Sequence, residues 1–396
     1  MFIGQGKHIE EEVRSLRREL HRNPELSGEE ERTSRRVQEM LEEAGIDYET
    51  GYAGHGVLGI IQGSKEGRTI ALRADMDALP IHEKNDHEFI SENKGAMHAC
   101  GHDAHTSMLI GAGKLLQEKK EELHGTILLV FQPAEEDAPV GGSEKMMEDG
   151  IFDKWTPDEI YAQHVWPDLP AGTFGVREGA MMGNSDRFTI NVTGSSGHAS
   201  MPHQTTDAVI IASQIVSALQ TLVSRNTDPL ASAVVTIGTI QGGSRYNVIA
   251  EEVELVGTVR TYDENVKEMI KERLQDIAKK TAEMLGGEAE VEYLDGYPAT
   301  VNDRDCAEFV KNVIRSAYGK DAQPEVEPSM GGEDFGRFLL KYPGAYYWLG
   351  TAVPGRKVQK PLHDPQFDID ETALAFGTEM LAELAYEAAK RKDADA

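Results

Sequence analysis

Cysteine is nearly absent from this sequence: Cys100 and Cys306 are its only two in 396 residues. Two thiols about half the chain apart make no disulfide framework, so both are read as reduced and the protein as intracellular. Basic residues are also scarce, 40 Lys and Arg against 68 Asp and Glu, for a formal charge of −28. With no Lys/Arg-rich block to offset that field, nucleic-acid backbones and anionic membranes are unsuitable partners. No run of about 18 apolar residues occurs, which argues against a spanning helix and a membrane role. The start, Met1 to Lys7, has no apolar stretch ahead of its charged helix, so no signal peptide is expected and a cytoplasmic setting is. Internal repeats and low-complexity linkers are missing too. Gly141-Gly142-Ser143 and Gly242-Gly243-Ser244 are followed by no Gly-Lys-Ser or Gly-Lys-Thr, so neither reads as a phosphate loop.

What is present is concentrated in Met97-His98-Ala99-Cys100-Gly101-His102-Asp103-Ala104-His105. A thiolate and an imidazole two residues apart at a strand-to-helix turn can reach one ion, and Gly101 between them permits a tight backbone path. Histidines also cap helices, a buried thiol is usually a small hydrophobe, and the run lacks zinc-finger spacing. The rest of the chain must decide between metal and structure.

The length favours two domains. Ile9, Val13, Leu16 and Leu20 recur at helical spacing, stopped by Asn23-Pro24. Ser27-Gly28-Glu29-Glu30 reads as a capping box for a second helix carrying Val37, Met40 and Leu41. Apolar runs at 57–61, 69–74 and 126–131 read as buried strands, and another at 159–163 ends in His164; a helix is expected over about 105–117. Helices alternating with such strands predict a mostly parallel α/β sheet, whose ligands gather beyond the carboxyl ends of the strands. Asp75, Asp77, Glu135, Glu136 and His164 all fall at such ends. Between Asn184 and Asp295 the order becomes strand, helix, strand, strand, helix, strand, that of a ferredoxin-like α+β unit. The expected division is therefore a catalytic domain of 1–183 and 296–396 with 184–295 inserted. Cys306, in a helical pattern, reads as core.

Cys100, His102, Glu136, His164 and His363 together offer enough ligands for two divalent ions with positions left open. Adjacent glutamates leaving a strand point to different sides, so Glu136 can bind metal while Glu135 serves as a base. His98, Asp103 and His105 are expected to orient ligands or start the helix rather than to ligate.

The segments 73–80 (Arg-Ala-Asp-Met-Asp-Ala-Leu-Pro), 98–105, 131–136 (Phe-Gln-Pro-Ala-Glu-Glu), Gly197-His198-Ala199, Asn247-Val248-Ile249, Gly257-Thr258-Val259-Arg260 and Leu362-His363 follow in that order. Together they resemble the M20 metallopeptidase family across essentially the whole chain, in its amidohydrolase branch of N-acyl-amino-acid deacylases, hippurate hydrolases and auxin-conjugate hydrolases. The resemblance implies that Cys100, His102, Glu136, His164 and His363 ligate two divalent ions, that Glu135 activates the attacking water, and that Asp77 orients a ligand. It implies that the inserted domain is a lid and dimerisation domain, with Asn247 and Arg260 holding a substrate carboxylate and His198 stabilising the oxyanion in the partner subunit's site. A homodimer, or a tetramer, is implied.

The wider family's peptidases place a histidine ligand where this chain has Asp75, and Cys100 substitutes, as in the amidohydrolase branch. Thiolate favours zinc, while the remaining ligands would equally accept manganese, cobalt or nickel. The activity implied is metal-dependent hydrolysis of N-acetyl or N-aroyl amino acids to a carboxylic acid and the free amino acid. Alternatives are a dipeptidase, an N-acetyl-diaminopimelate deacetylase and, remotely, an inactive ligand-binding homologue, against which the presence of Glu135 speaks.

Overall fold

The computed structural model describes residues 1–391. The chain forms two compact units: one of Met1–Met181, Val301–Glu327 and the stretch from Asp334 onward, the other of Met182–Thr300 and Pro328–Glu333.

The larger unit is built on a seven-stranded sheet in the order Asp47–Tyr52, Gly56–Gln62, His124–Gln132, Lys65–Asp75, Glu159–Pro170, Gly344–Ala352, Phe174–Gly175. The four strands from His124–Gln132 to Gly344–Ala352 run parallel. The pairs outside them are antiparallel, so the sheet is mixed rather than mostly parallel. The cause is local. Asp47–Tyr52 and Gly56–Gln62 are joined by Ala53, Gly54 and His55 alone, too short for the crossover that a parallel pair requires, and both Ala53 and Gly54 take positive φ.

The inner strands carry the apolar runs and are buried, as Val57, Ile61, Leu72, Leu129 and Phe131 illustrate. Helix Gly6–Arg22 buries the stripe Ile9, Val13, Leu16 and Leu20 that its spacing predicts. Helix His102–Glu118 starts three residues earlier than its pattern indicated, and its polar start is buried along with Leu109 and Leu116. Cys306 is core, on helix Arg304–Tyr318. The predicted capping box does not form. The first turn of helix Glu31–Glu43 is instead capped by Glu25, which accepts the Arg32 N–H at 3.0 Å and the Thr33 N–H at 2.7 Å, while the Ser27 hydroxyl donates to Asp77 Oδ2 at 2.6 Å, a charged and therefore stronger acceptor.

The smaller unit has a four-stranded antiparallel sheet in the order Ala233–Gly242, Glu252–Thr261, Asp186–Thr193, Glu288–Leu294. Helices Ala208–Thr221 and Glu264–Met284 pack on it through Ile211, Ile215, Leu219, Ile270 and Leu274. Asp207 and Asp263 cap them, each accepting from two backbone N–H groups of the first turn. The segment Ala208–Asn226, 19 residues, is long and apolar enough to cross a membrane by length and composition, although polar residues interrupt its apolar run. Its stripe of Ile211, Ile215 and Leu219 is spent on the unit's own core.

Candidate metal centre

Three parallel strands, one helix and the loop after Gly344–Ala352, which carries His363, deliver the candidate residues of the larger unit. Lys65–Asp75 leads to Asp77, His124–Gln132 leads to Glu135 and Glu136, and helix His102–Glu118 opens with His102. His164 does not end its strand, which continues to Pro170 on Gly344–Ala352. Pairing with Lys65–Asp75 stops at Ala162, opposite Arg73, so by register His164 stands level with Asp75, the last residue of that neighbour. Gly101 sits at φ 89°, and a Cβ there would lie 2.3 Å from Val165 Cγ2, so glycine alone fits between Cys100 and His102.

Hydrogen bonds decide which lone pairs are free. His102 Nδ1 lies 3.2 Å from Asp77 Oδ1, while its Nε2 is buried without a partner. His164 Nδ1 lies 2.7 Å from its neighbour's carbonyl, Val165 O, which turns Nε2 to within 3.4 Å of Cys100 Sγ. His105 has no such spare pair. Its Nε2 accepts the Val165 N–H at 2.9 Å, so Nδ1 must carry the proton it shares with Asp75 at 2.6 Å, and it orients rather than ligates. His363, at φ 67° and mostly solvent-facing, brings Nε2 to 3.0 Å from Glu136 Oε1. That oxygen still lacks a hydrogen bond of proper angle, as expected of two ligand atoms aimed at a third centre.

The ligand atoms of Cys100, His102 and His164 lie within 4.8 Å of one another, as do those of Cys100, Glu136 and His363, and those of His102, Glu135 and Glu136. Overlapping triads of thiol, imidazole and carboxylate, with His102 Nε2 and Glu136 Oε1 buried and unspent, fit two divalent cations.

The electrostatics agree. Burial pushes the Cys100 thiol well above its usual range, reinforced by Glu136 and Glu135, so ionisation there calls for a cation. Burial, then His105, pushes His164 well below its ordinary value and keeps its lone pair available. Burial works against a charge on His102, but Asp75 and Asp77 outweigh it and push it up to about 10, so a metal ion there replaces a proton.

Asp77 is more heavily engaged than the sequence indicated. Besides His102 and Ser27, it accepts the N–H groups of Glu135 at 3.1 Å and Glu136 at 2.9 Å. Two contributors escaped sequence reasoning. Glu30 Oε1 accepts the Ala134 N–H at 2.8 Å, where Ala134 holds φ 55° just ahead of the glutamate pair. Asp334 offers its N–H to Glu135 Oε1 at 3.3 Å, its own carboxylate held by Arg73 at 2.9 Å, Gln132 at 2.7 Å and Ser143. The only signal for Glu30 was its place in an apparent capping box.

The other three candidates belong to the smaller unit. His198, exposed, lies on Gly197–His198 paired with Val248–Ile249, and the Asn247 carbonyl accepts the Ala199 N–H at 3.2 Å. Asn247 Oδ1 is buried without a partner. Arg260 donates to the Asn184 carbonyl at 3.2 Å, has no carboxylate at ion-pair distance among the described residues, and is lowered by burial against the pull of Asp186. The structure thus gathers the larger unit's six candidates and Asp77 into one place.

Comparison with known proteins points the same way. Residues 71–387 match the model of peptidase family M20/M25/M40. Thermostable carboxypeptidase 2 of Saccharolobus solfataricus is 41% identical over 373 residues, 94% of each chain. N-acetyl-L-cysteine deacetylase of Bacillus subtilis is 41% identical over 97% of this chain and 88% of its own. The crystal structure of the Bacillus subtilis YXEP protein, described as a dinuclear metal binding peptidase from the M20 family, superposes with a TM-score of 0.84 at 35% identity, covering 97% of this chain and 99% of that one. With a family match over most of its length and relatives this similar from end to end, the chain belongs to peptidase family M20/M25/M40 and is a hydrolase.

Proposed function

We propose that the protein hydrolyses the amide bond of N-acyl amino acids, releasing a carboxylic acid and the free amino acid. The observation that carries this is the convergence of Cys100, His102, Glu136, His164 and His363 with a buried Glu135 beside them. Those five would hold two divalent cations, of which zinc suits the thiolate best and manganese, cobalt or nickel suit the other donors. Bound there, the cations supply Lewis acidity toward the amide carbonyl and the attacking water. Glu135 takes the proton from that water and returns it to the leaving amine. Asp77 holds His102 and the Glu135–Glu136 backbone in position through the bonds described above. Arg260, its fork free of carboxylates, binds the substrate carboxylate with Asn247.

The segment 184–295 acts in this reading as a ferredoxin-like lid and dimerisation domain, with His198 donating to the oxyanion in the partner subunit's site. Support comes from the strand Ala233–Gly242, which has a sheet neighbour on one side only, and from Val209, Ile210, Val223, Val234 and Ile240, exposed on that strand and on the helical segment before it. An open strand edge beside exposed apolar side chains invites a second copy. In this reading the protein is a homodimer, or a tetramer built from it, and works in the cytoplasm.

The test is release of free amine from acetyl, benzoyl and longer acyl derivatives of several amino acids, with each metal supplied in turn. Turnover that is abolished by a chelator and restored by metal is expected. No turnover of any N-acyl amino acid under any metal would end the proposal. The likeness to a carboxypeptidase favours a second reading, cleavage of a peptide's terminal bond, and dipeptides in the same panel separate the two.

A further inference from the structure

Another group of imidazoles and a carboxylate lies in the larger unit outside the centre. Helix Gly6–Arg22 supplies His21, and the segment linking Lys65–Asp75 to helix His102–Glu118 supplies Glu83 and His87. Glu83 Oε1 lies 3.1 Å from His21 Nε2 and 3.3 Å from His87 Nε2, and the three ligand atoms are mutually within 4.8 Å. A tetrahedral ion with bonds of about 2.0–2.1 Å sets its ligand atoms about 3.3–3.4 Å apart, so this is the spacing of a coordination shell as well as of hydrogen bonds.

His87 distinguishes the two. Both of its ring nitrogens are shielded from solvent and neither has a hydrogen-bond partner, although Nε2 stands beside a carboxylate oxygen. Its ring is stacked on Phe89 with centroids 3.8 Å apart and planes within 13°, so it is held in that place. His21 is oriented from behind, Nδ1 lying 2.8 Å from Asp103 Oδ2, the carboxylate–imidazole arrangement that leaves Nε2 as the coordinating atom. Charge leaves one carboxylate for a cation. Arg14, Arg17, Arg18 and Arg356 pair with Asp103, Asp368 and Glu371, and among the described residues no arginine pairs with Glu83.

We propose that His21, Glu83 and His87 form a further divalent-cation site, taking zinc or a similar ion through two imidazoles and one carboxylate. The ion ties the first helix to the segment that leads into Cys100, Gly101 and His102, and its role is structural. The competing arrangement is an imidazolium of His21 bridging Asp103 and Glu83, which leaves His87 unused.

The experiment counts metal. Full-length protein is stripped with a chelator, dialysed against buffered micromolar zinc, and analysed for zinc per chain beside His87→Leu and His87→Gln. Leucine keeps an apolar contact with Phe89, glutamine keeps polarity, and thermal melting shows that each is folded. The expected result is one more zinc per chain in the wild type than in either variant, with the rate of amide hydrolysis unchanged. Cobalt substitution should show a matching loss of tetrahedral cobalt absorption. Equal zinc content in wild type and folded variants overturns the proposal. Because the difference reads only this site, the result stands apart from whatever the Cys100 centre holds or catalyses.

Discussion

In the larger unit the strand His124–Gln132 is buried along its last six residues, whereas in the smaller unit Glu252–Thr261 alternates buried positions with open ones. A strand covered on both faces has room for polar side chains mainly at its ends, and there each must find a partner. Gln132 accordingly meets Arg73 and Asp334, and the backbone of Glu135 and Glu136 meets Asp77. A strand covered on one face can carry a polar group anywhere on the other. Among the described residues the Arg260 side chain keeps a single backbone acceptor, and the His198 ring bonds only to Ser200. The larger unit thus prepares a centre through internal bonds, and the smaller offers groups left free for something else. Losses in the first should reach metal content or stability; losses in the second should reach turnover alone.

Glu135 is the sharpest case, because it sits among the bonded groups yet is proposed to act on substrate. Glu135→Gln should lower turnover by about 10²–10⁴, the usual worth of a positioned acid–base group, while metal analysis shows the ions retained. An active variant would remove Glu135 from the mechanism.

His198→Ala tests the other side. A missing oxyanion donor costs about 10²–10³ in turnover, with metal content and melting untouched. If His198 serves the partner subunit, mixing this variant with Glu135→Gln should restore about a quarter of wild-type activity after random exchange, since half the dimers are mixed and each has one complete site. Differently tagged chains verify the exchange. Verified mixed dimers without activity would place His198 within its own chain or outside catalysis, and lost metal in the single variant would break the contrast between the units.

Asp77→Ala frees His102 and both glutamate N–H groups at once, and about 10–100-fold weaker metal binding is expected, measured by competition with a chelator. The same titration followed by alkylation should find Cys100 shielded when loaded and labelled when stripped, because the bound thiolate is occupied. Equal labelling at matched folding would make Cys100 a core thiol.

The last effect concerns pH. Burial, with Asp77 nearby, pushes the Glu30 carboxyl up from 4.5 to about 7. The folded protein then keeps a proton that the unfolded chain releases, so this group's contribution to stability is full below 4.5 and is lost as pH rises to about 7. Glu30→Gln retains an acceptor for the Ala134 N–H and cannot ionise. Unfolding by denaturant should show the variant gaining on the wild type by up to about 10²-fold in equilibrium constant across that window. A difference that does not change with pH would mean that Glu30 does not titrate there.

The local patterns of this chain were enough for most of its long helices and buried strands, because periods of 3.6 and 2 follow from backbone geometry and need no partner, but they missed the strand Asp47–Tyr52 and the helix Gly141–Glu148. They also placed Asp77, Glu135 and Glu136 at strand ends, and the short spacing of Cys100 and His102 marked a candidate metal-ligand pair. Partner choice lay beyond them. Ser27 and Glu30 have the form of a helix cap, yet the tertiary fold turns them to Asp77 and Ala134, 50 and 104 residues away. His105 and His102 are alike in sequence, and only the Val165 N–H, 60 residues distant, takes one lone pair while the other stays free. The antiparallel pairing of Gly56–Gln62 with the distant His124–Gln132 arises likewise from which strands meet, not from what each contains. A residue's type sets what it can bond, but burial and proximity set which bond it makes, and both exist only once the chain has folded.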